Sequence, residues 1–472
     1  MAMKVLSDES PYNIFMSASS ILRDAVNHTL GPKGLNTAVC TSSSGVYQII
    51  NDGKAIIQDI TADDPILSPA IESLKQSCYE TNRVAGDGTT STIIMTNELL
   101  KTMYNVINSK KSISDARLDL ENSRDKLIQA VDNFKIELTE DKYEDVATVA
   151  LGGSKYAKML ADAYKFVGKE GSVAFIKEDR KDVMLECQNG VTLDKVSLPV
   201  VSMKEPREMF DLPVVFIYER IDRFADIVDL LNKSIEFKGK KTLLFYNEMS
   251  WDASSNIYAN IGSGNIDLVP IRLGGYGTNT RDVMKQLADY CGCMMIDGYS
   301  VKLSTIENLD EVYGKATKAL VSDFKVVICS ENNLIKNKDF SLQLSDKSCI
   351  IKIGGNNSIE QEETYRRIED AVSSLKTAIK DGIVNGGGTA YIRAYKDSGV
   401  ASYLEDVCWS IYETVVKNTT GEYAVRDESF DYSCFGDNVF DSVTVVKEVI
   451  RNSFSLVAQV ITTKKLVCEL IR

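Results

Sequence analysis

Apolar residues recur at helical spacing from position 14 to 30 (Ile14, Ala18, Ile21, Leu22, Ala25, Val26), and the run stops at Thr29-Leu30-Gly31-Pro32-Lys33-Gly34. That pattern predicts a helix ended by a Gly-Pro turn. Residues 39–50 alternate weakly around Ser42-Ser43-Ser44-Gly45, which predicts a hairpin, with Asn51-Asp52-Gly53 closing its second strand in a turn. Helical patterns then cover residues 66–81, 92–106 and 113–136, so the first part of the chain is mainly helical.

The pattern changes near Asp145. Leu151-Gly152-Gly153 interrupts, a helix is predicted over 156–167, and Gly168-Lys169-Glu170-Gly171 turns into a strand over 172–176. Between about 185 and 349, short apolar runs at 214–217, 242–245, 269–271, 294–296 and 325–328 alternate with helical segments, the pattern of an inserted α/β domain. After a strand at 350–353 ending in Gly354-Gly355, a strongly charged amphipathic helix is predicted over 359–379. Gly386-Gly387-Gly388 opens another helix at Thr389, a helix over 404–417 leads into a loop from Asn418 to Tyr423, and a last helix at 444–461 precedes a strand-like end at 465–471. Helical ends bracket a central insertion, and both carry Gly-rich turns that could meet over one ligand.

The stretch from Val84 to Ser91 carries the clearest chemistry, V-A-G-D-G-T-T-S. Gly86 and Gly88 let backbone approach a ligand closely, and Asp87 between them offers a hard oxygen to Mg²⁺. Thr89, Thr90 and Ser91 place three hydroxyls at an expected helix N-terminus, where the helix dipole favours anions. Taken alone, the same residues also read as an ordinary helix cap after a glycine turn.

Composition narrows what such a site serves. The 472 residues suffice for two to four domains, and 44% apolar content supports real cores. A net charge of −13 argues against nucleic acid as a partner. Ten cysteines without a C-x-x-C pair, and one histidine, His28, argue against a zinc site and for buried free thiols in a reducing compartment. No apolar leader and no run of about 18 apolar residues occurs, so neither secretion nor a membrane partner is expected and the chain is placed in the cytoplasm.

Several motifs occur in a fixed order: T-L-G-P-K-G (Thr29 to Gly34), D-G (Asp52, Gly53), G-D-G-T-T (Gly86 to Thr90), V-G-K-E-G (Val167 to Gly171), R-I-E-D-A (Arg367 to Ala371), G-G-G-x-A (Gly386 to Ala390), E-Y (Glu422, Tyr423) and I-T-T (Ile461 to Thr463). Together they resemble the group I chaperonins, the Hsp60 or GroEL-like family, over nearly the whole chain. The resemblance implies a multidomain α and α+β subunit. Its parts would be a mainly helical equatorial ATPase domain (1–130 and 381–472), a small intermediate domain (131–186 and 349–380) and an inserted α/β apical domain (187–348) that binds unfolded protein. It implies an ATP-dependent chaperone that assembles into homo-oligomeric rings and uses Mg²⁺, with K⁺ and a co-chaperonin left open.

By the same resemblance, Thr29, Leu30, Gly31, Pro32 and Asn51 would line the nucleotide pocket, with Gly86, Gly88, Thr89, Thr90 and Ser91 on the phosphates. Asp87 would hold Mg²⁺. Gly387 would face the nucleotide, Asn418 the base and Asp441 the ribose. Asp370 would orient the attacking water, assisted by Asp52, and without the resemblance it reads as a solvated acid on a charged helix face. Val228, Leu231 and Tyr258 would contact clients. Asn51 departs from the family, which usually carries Lys beside the Asp-Gly, putting phosphate or monovalent-cation contacts there in question. Ser254 and Ser255 make the second apical helix more polar, and the chain is short, features of a divergent member of viral or organellar kind. The competing reading is a chaperonin-like scaffold or regulator that has lost hydrolysis; retention of Asp52, Asp87 and Asp370 weighs against it. A small-molecule kinase is disfavoured by the lack of G-x-x-x-x-G-K-[ST] and of the kinase motif set.

Overall fold

In the computed structural model the protein is described at residues 3–6, 10–40, 47–109, 112–153, 155–169, 171–193, 196–199, 207–237, 240–274, 279–306, 308–322, 325–330, 347–426, 430–431 and 438–469. The Ser42–Gly45 loop, Glu170, Cys434 and positions 470–471 of the expected final strand lie outside these residues. The chain folds as two compact units, one of Met1–Asp162 with Gly355–Arg472 and one of Ala163–Gly354.

The N-terminal segment supplies β1 (Met3–Leu6), α1 (Pro11–Val26), β2 (Thr37–Cys40), β3 (Tyr47–Ile50), α2 (Gly53–Gln58), α3 (Leu67–Ala85), α4 (Thr89–Asn108), α5 (Ile113–Asn133) and α6 (Tyr143–Leu151). Strands β2 and β3 pair as the expected hairpin. Asn51-Asp52-Gly53 is not the turn that the sequence suggests, because Asp52 caps a helix: its carboxylate accepts from the Lys54 and Ala55 amides at 2.9 and 3.1 Å. Helix α7 (Ala157–Val167) carries the chain into the second unit.

That unit contains β4 (Ser172–Lys177), β5 (Met184–Asn189), β6 (Val191–Leu193), β7 (Arg207–Asp211), β8 (Val214–Ile221), α8 (Val228–Glu236), β9 (Thr242–Met249), α9 (Trp251–Gly262), β10 (Leu268–Arg272), α10 (Thr280–Cys291), β11 (Tyr313–Lys315), β12 (Lys318–Ser322), β13 (Lys325–Cys329) and β14 (Lys347–Ile353). Strands order as β10-β9-β8-β11, β6-β13-β12-β7 and β4-β14-β5. The parallel β8-β9-β10 core is buried on both faces, as its unbroken apolar runs require. Val215, Ile217, Leu243 and Phe245 pack towards α10, and Phe216, Tyr218, Leu244 and Tyr246 towards α8 and α9.

Residues 294–296 do not form the expected strand. Only Ile296 bridges to Tyr218, since the chain turns at Gly298, whose added Cβ would lie 2.3 Å from the Arg220 carbonyl oxygen. The expectation of free thiols throughout is also corrected. Cys187 and Cys349 stand directly opposite on β5 and β14 with Cα atoms 4.1 Å apart, and they form a disulfide. Cys78, Cys291, Cys329 and Cys408 are buried thiols.

The C-terminal segment returns to the first unit with α11 (Ser358–Asp381), β15 (Ile383–Asn385), α12 (Thr389–Ser398), α13 (Glu405–Thr420), β16 (Phe440–Ser442), α14 (Val443–Val460) and β17 (Leu466–Glu469). Strand β17 pairs with β1, and β15 with β16. Leu99, Leu120, Leu127, Val407, Val449 and Phe454 form the main core among α4, α5, α13 and α14, while Leu22, Ile56, Leu74 and Ile93 close a second core against α1 and α3. Among the described residues, no helix is long and apolar enough to cross a membrane.

Candidate functional site

Gly86 ends α3 with φ +75° and Gly88 caps α4 with φ +96°, so the Asp87 turn is held between two helix ends in a conformation that favours glycine. A Cβ on Gly88 would press Thr81, Val445 and Val449 at 3.1 Å. Thr92 ties the turn down by donating to the Gly88 carbonyl at 2.9 Å. Helix α2 approaches the same place: a Cβ on Gly53 would fall 2.2 Å from Thr90 Oγ1. Thr89, 4% exposed, keeps a buried hydroxyl with no hydrogen-bond partner among the described residues.

Three further acids converge on Asp87. Asp370 keeps some solvent contact as a residue, but the protein around its carboxyl pushes it well above the usual carboxylate range, and Asp52, Asp87 and Glu369 push it the same way, with Lys54 opposing. Asp87 is exposed to solvent as a residue, but the protein around its carboxyl still raises it by desolvation, with the Gly88 amide opposing and Asp52 adding to it. Asp441 keeps some solvent contact as a residue, but its carboxyl is surrounded by protein and is pushed up to about 7 by burial and by Asp87, against the Gly387 and Gly388 amides. Such uncompensated carboxylates call for a cation. Among the described residues, no three acidic, imidazole or thiol groups come close enough to hold a metal alone. Mg²⁺ takes one or two carboxylates and completes its shell with phosphate oxygens and water. The orphaned Thr89 hydroxyl at the N-terminus of α4 fits a phosphate-bearing ligand beside it.

Residues 22–224 match the TCP-1/cpn60 chaperonin family. The chain is 24% identical to the chaperonin GroEL of Anaplasma phagocytophilum over 509 aligned positions, covering 95% of this chain and 94% of that protein. A crystal structure of the chaperonin gp146 from the bacteriophage EL 2 (Pseudomonas aeruginosa), in presence of ATP-BeFx, superposes with TM-score 0.71 at 16% identity, covering 99% of both chains. A second crystal form of gp146 gives 0.68 at 17% identity. The chain is a group I chaperonin-like protein.

In this GroEL-like chaperone the remaining expected nucleotide residues lie on the same unit. Thr29 Oγ1 donates to the Val26 carbonyl at 2.8 Å, and a 3-10 turn over Asn27–Thr29 packs on α4 and α13. Leu30, Gly31 and Pro32 follow it, and Gly31 (φ +97°) faces Val415 on α13. Asn418 sits in the last turns of α13, not in a loop. Both its N–H donors are committed, to the Asn27 and Leu30 carbonyls at 2.7 and 2.8 Å, so it pins the 29–32 turn and leaves only its oxygen for a base. Asn51 donates to Asn36 Oδ1 at 3.0 Å and, with Asp52, lines a cleft of about 290 Å³ against Ile359, Glu362 and Arg366 of α11. Gly387 and Gly388 lead into α12, and Ser91 stands in the first turn of α4.

In the second unit Val228 and Tyr258 are half-buried on α8 and α9. Leu231 is a correction: it is 5% exposed and packs with Ile227 and Leu230 beneath the helix, so it belongs to the core and is not a client contact. Trp251, at the start of α9 and 83% exposed, was missed, though an aromatic just after the Ser250 cap signals an exposed first turn. Two further residues lie at the site without a sequence expectation: Lys54, whose charge acts on Asp370 and which follows directly on the Asp-Gly motif, and Ser373, which a Cβ on Gly86 would meet at 2.1 Å and which nothing in the sequence marks.

Proposed function

We propose that this chain is an ATP-driven chaperone: a cytoplasmic ring of identical subunits, acting in the host cytoplasm if the chain is viral, that captures non-native proteins and promotes their folding through Mg-ATP hydrolysis. The observation that carries this reading is the meeting of Asp370 with Asp52 and Asp87, brought from α11, the α2 cap and the 86–88 turn into one charged cluster. An acid on a charged helix face has no reason to be buried among other acids unless a cationic ligand joins them.

In this reading Asp87 holds Mg²⁺, which neutralises charge on the phosphate oxygens. The turn and α4 N-terminus, from Gly86 to Ser91, hold the phosphates, while Asp370, assisted by Asp52, orients the attacking water. Such a site works by positioning and charge stabilisation. The three-part division with boundaries at 131, 187, 349 and 381 is part of this proposal. The two-stranded ribbons β1-β17 and β2-β3 support self-association: both leave strand edges unpaired among the described residues, and Tyr47 and Ile49 are exposed. Val228, Tyr258 and Trp251 give the second unit apolar surface for clients.

The experiment is to measure Mg²⁺-dependent ATP hydrolysis, particle size and suppression of client aggregation on one preparation. Turnover by assembled particles that protect a client is the expected result. Assembly and nucleotide binding without turnover would establish the scaffold reading, and no nucleotide binding would overturn the site.

A further inference from the structure

Lys54 occupies the second position of α2, where its amide donates to Asp52 Oδ1 at 2.9 Å, and the preceding Gly53 packs directly on Thr90. Its backbone is therefore fixed next to two residues of the proposed phosphate site. The side chain is half-buried and makes no ion pair among the described residues. Other basic groups are committed elsewhere: Arg366 to Glu362 at 3.2 Å, Arg367 to Glu363 at 2.8 Å, and Lys33 to the Thr419 carbonyl at 3.0 Å. The leading positive charge acting on Asp370 is that of Lys54, whereas acids and backbone amides dominate around Asp87 and Asp441. Asn51 carries no charge, and Lys54 is the only basic residue of the sequence between Lys33 and Lys75.

We propose that Lys54 is the cation that meets the terminal phosphate of ATP in this chain, the neutral Asn51 supplying no such charge. This rests on the nucleotide reading above. A lysine acts on phosphate as a point charge on a flexible stem, so its anchor can move along the backbone while the charge reaches the same ligand. A contact to the terminal phosphate discriminates ATP from ADP, which a purely structural lysine does not.

The test is calorimetry on the full chain with Mg²⁺ and either the β,γ-imido analogue of ATP or ADP. Lys54→Met and Lys54→Gln are expected to weaken analogue binding roughly ten- to a hundredfold, the range of one charge-assisted contact, and to change ADP binding less than about threefold. Lys54→Arg should retain discrimination, and Asn51→Lys added to Lys54→Met should restore it, with melting curves confirming that each variant is folded. Equal weakening of both ligands, no change in either, or failure of Asn51→Lys to restore discrimination would overturn the assignment. A parent chain that binds neither nucleotide would overturn the functional reading itself and this one with it.

Discussion

Gly86 and Ser373 meet with no space between them: a Cβ on Gly86 would fall 2.1 Å from the Ser373 Cβ. Ser373 is three residues beyond Asp370 on α11, so this contact seats the helix that carries the proposed catalytic acid directly on the Asp87 turn. Gly86→Ala adds atoms where there is no room and forces a side chain into φ +75°. The expected cost is about 2–4 kcal/mol of stability together with loss of ATP turnover, read by urea unfolding and by hydrolysis at matched folded fraction.

Asp441 makes stability depend on pH. Its carboxyl titrates near 7 in the folded chain, against roughly 3.9 unfolded. Between these values the folded state binds more protons than the unfolded state, so this group's contribution falls as pH rises, and the full penalty is present above about pH 7. Asp441→Asn should therefore raise the melting temperature of the nucleotide-free protein clearly more at pH 8 than at pH 5, where only about a third of the penalty is present. A gain of equal size at both pH values would remove Asp441 as the titrating group.

The helices and their Gly-rich turns were legible because local rules fix them: apolar residues at helical spacing, and glycine where φ is positive at positions 86 and 88. Motif order led to the expectation that Asp52, Asp87 and Asp370 share one site, and in the fold Asp52 and Asp87 both act on Asp370. What stayed hidden depends on distant partners. Nothing local says that β1 pairs with β17, that Cys187 faces Cys349 across 162 positions, or that Ser373 abuts Gly86. Leu231 is different, since Ile227, Leu230, Leu231 and Ser234 fall at the spacing of a buried stripe.

The Cys187–Cys349 bond should be felt in the second unit. Closing a long loop constrains the unfolded chain, and removing such a bond typically costs about 2–5 kcal/mol. Cys187→Ala with Cys349→Ala, or reduction by a dithiol, is expected to lower an unfolding transition that leaves ATP turnover unchanged below it. Alkylation and peptide mass mapping under denaturing, non-reducing conditions should leave Cys187 and Cys349 unlabelled and label Cys40, Cys78, Cys291, Cys293, Cys329 and Cys408.

Client capture separates surface from core. Trp251→Ser, Val228→Ser and Tyr258→Ser should weaken protection of a denatured client while ring assembly and ATPase persist. Leu231→Ser should instead unfold the second unit, costing about 3 kcal/mol or more because it opens a cavity and buries a hydroxyl. Undiminished protection by the Trp251 variant would move the client surface elsewhere.

The most direct measurement is ATP turnover and Mg-ATP affinity of Asp370→Ala beside the parent chain. The carboxylate of Asp370 is assigned to the attacking water and not to holding the nucleotide, so affinity should be nearly unchanged while turnover falls by a factor on the order of 10²–10⁴. Equal turnover in the variant and the parent would contradict the account.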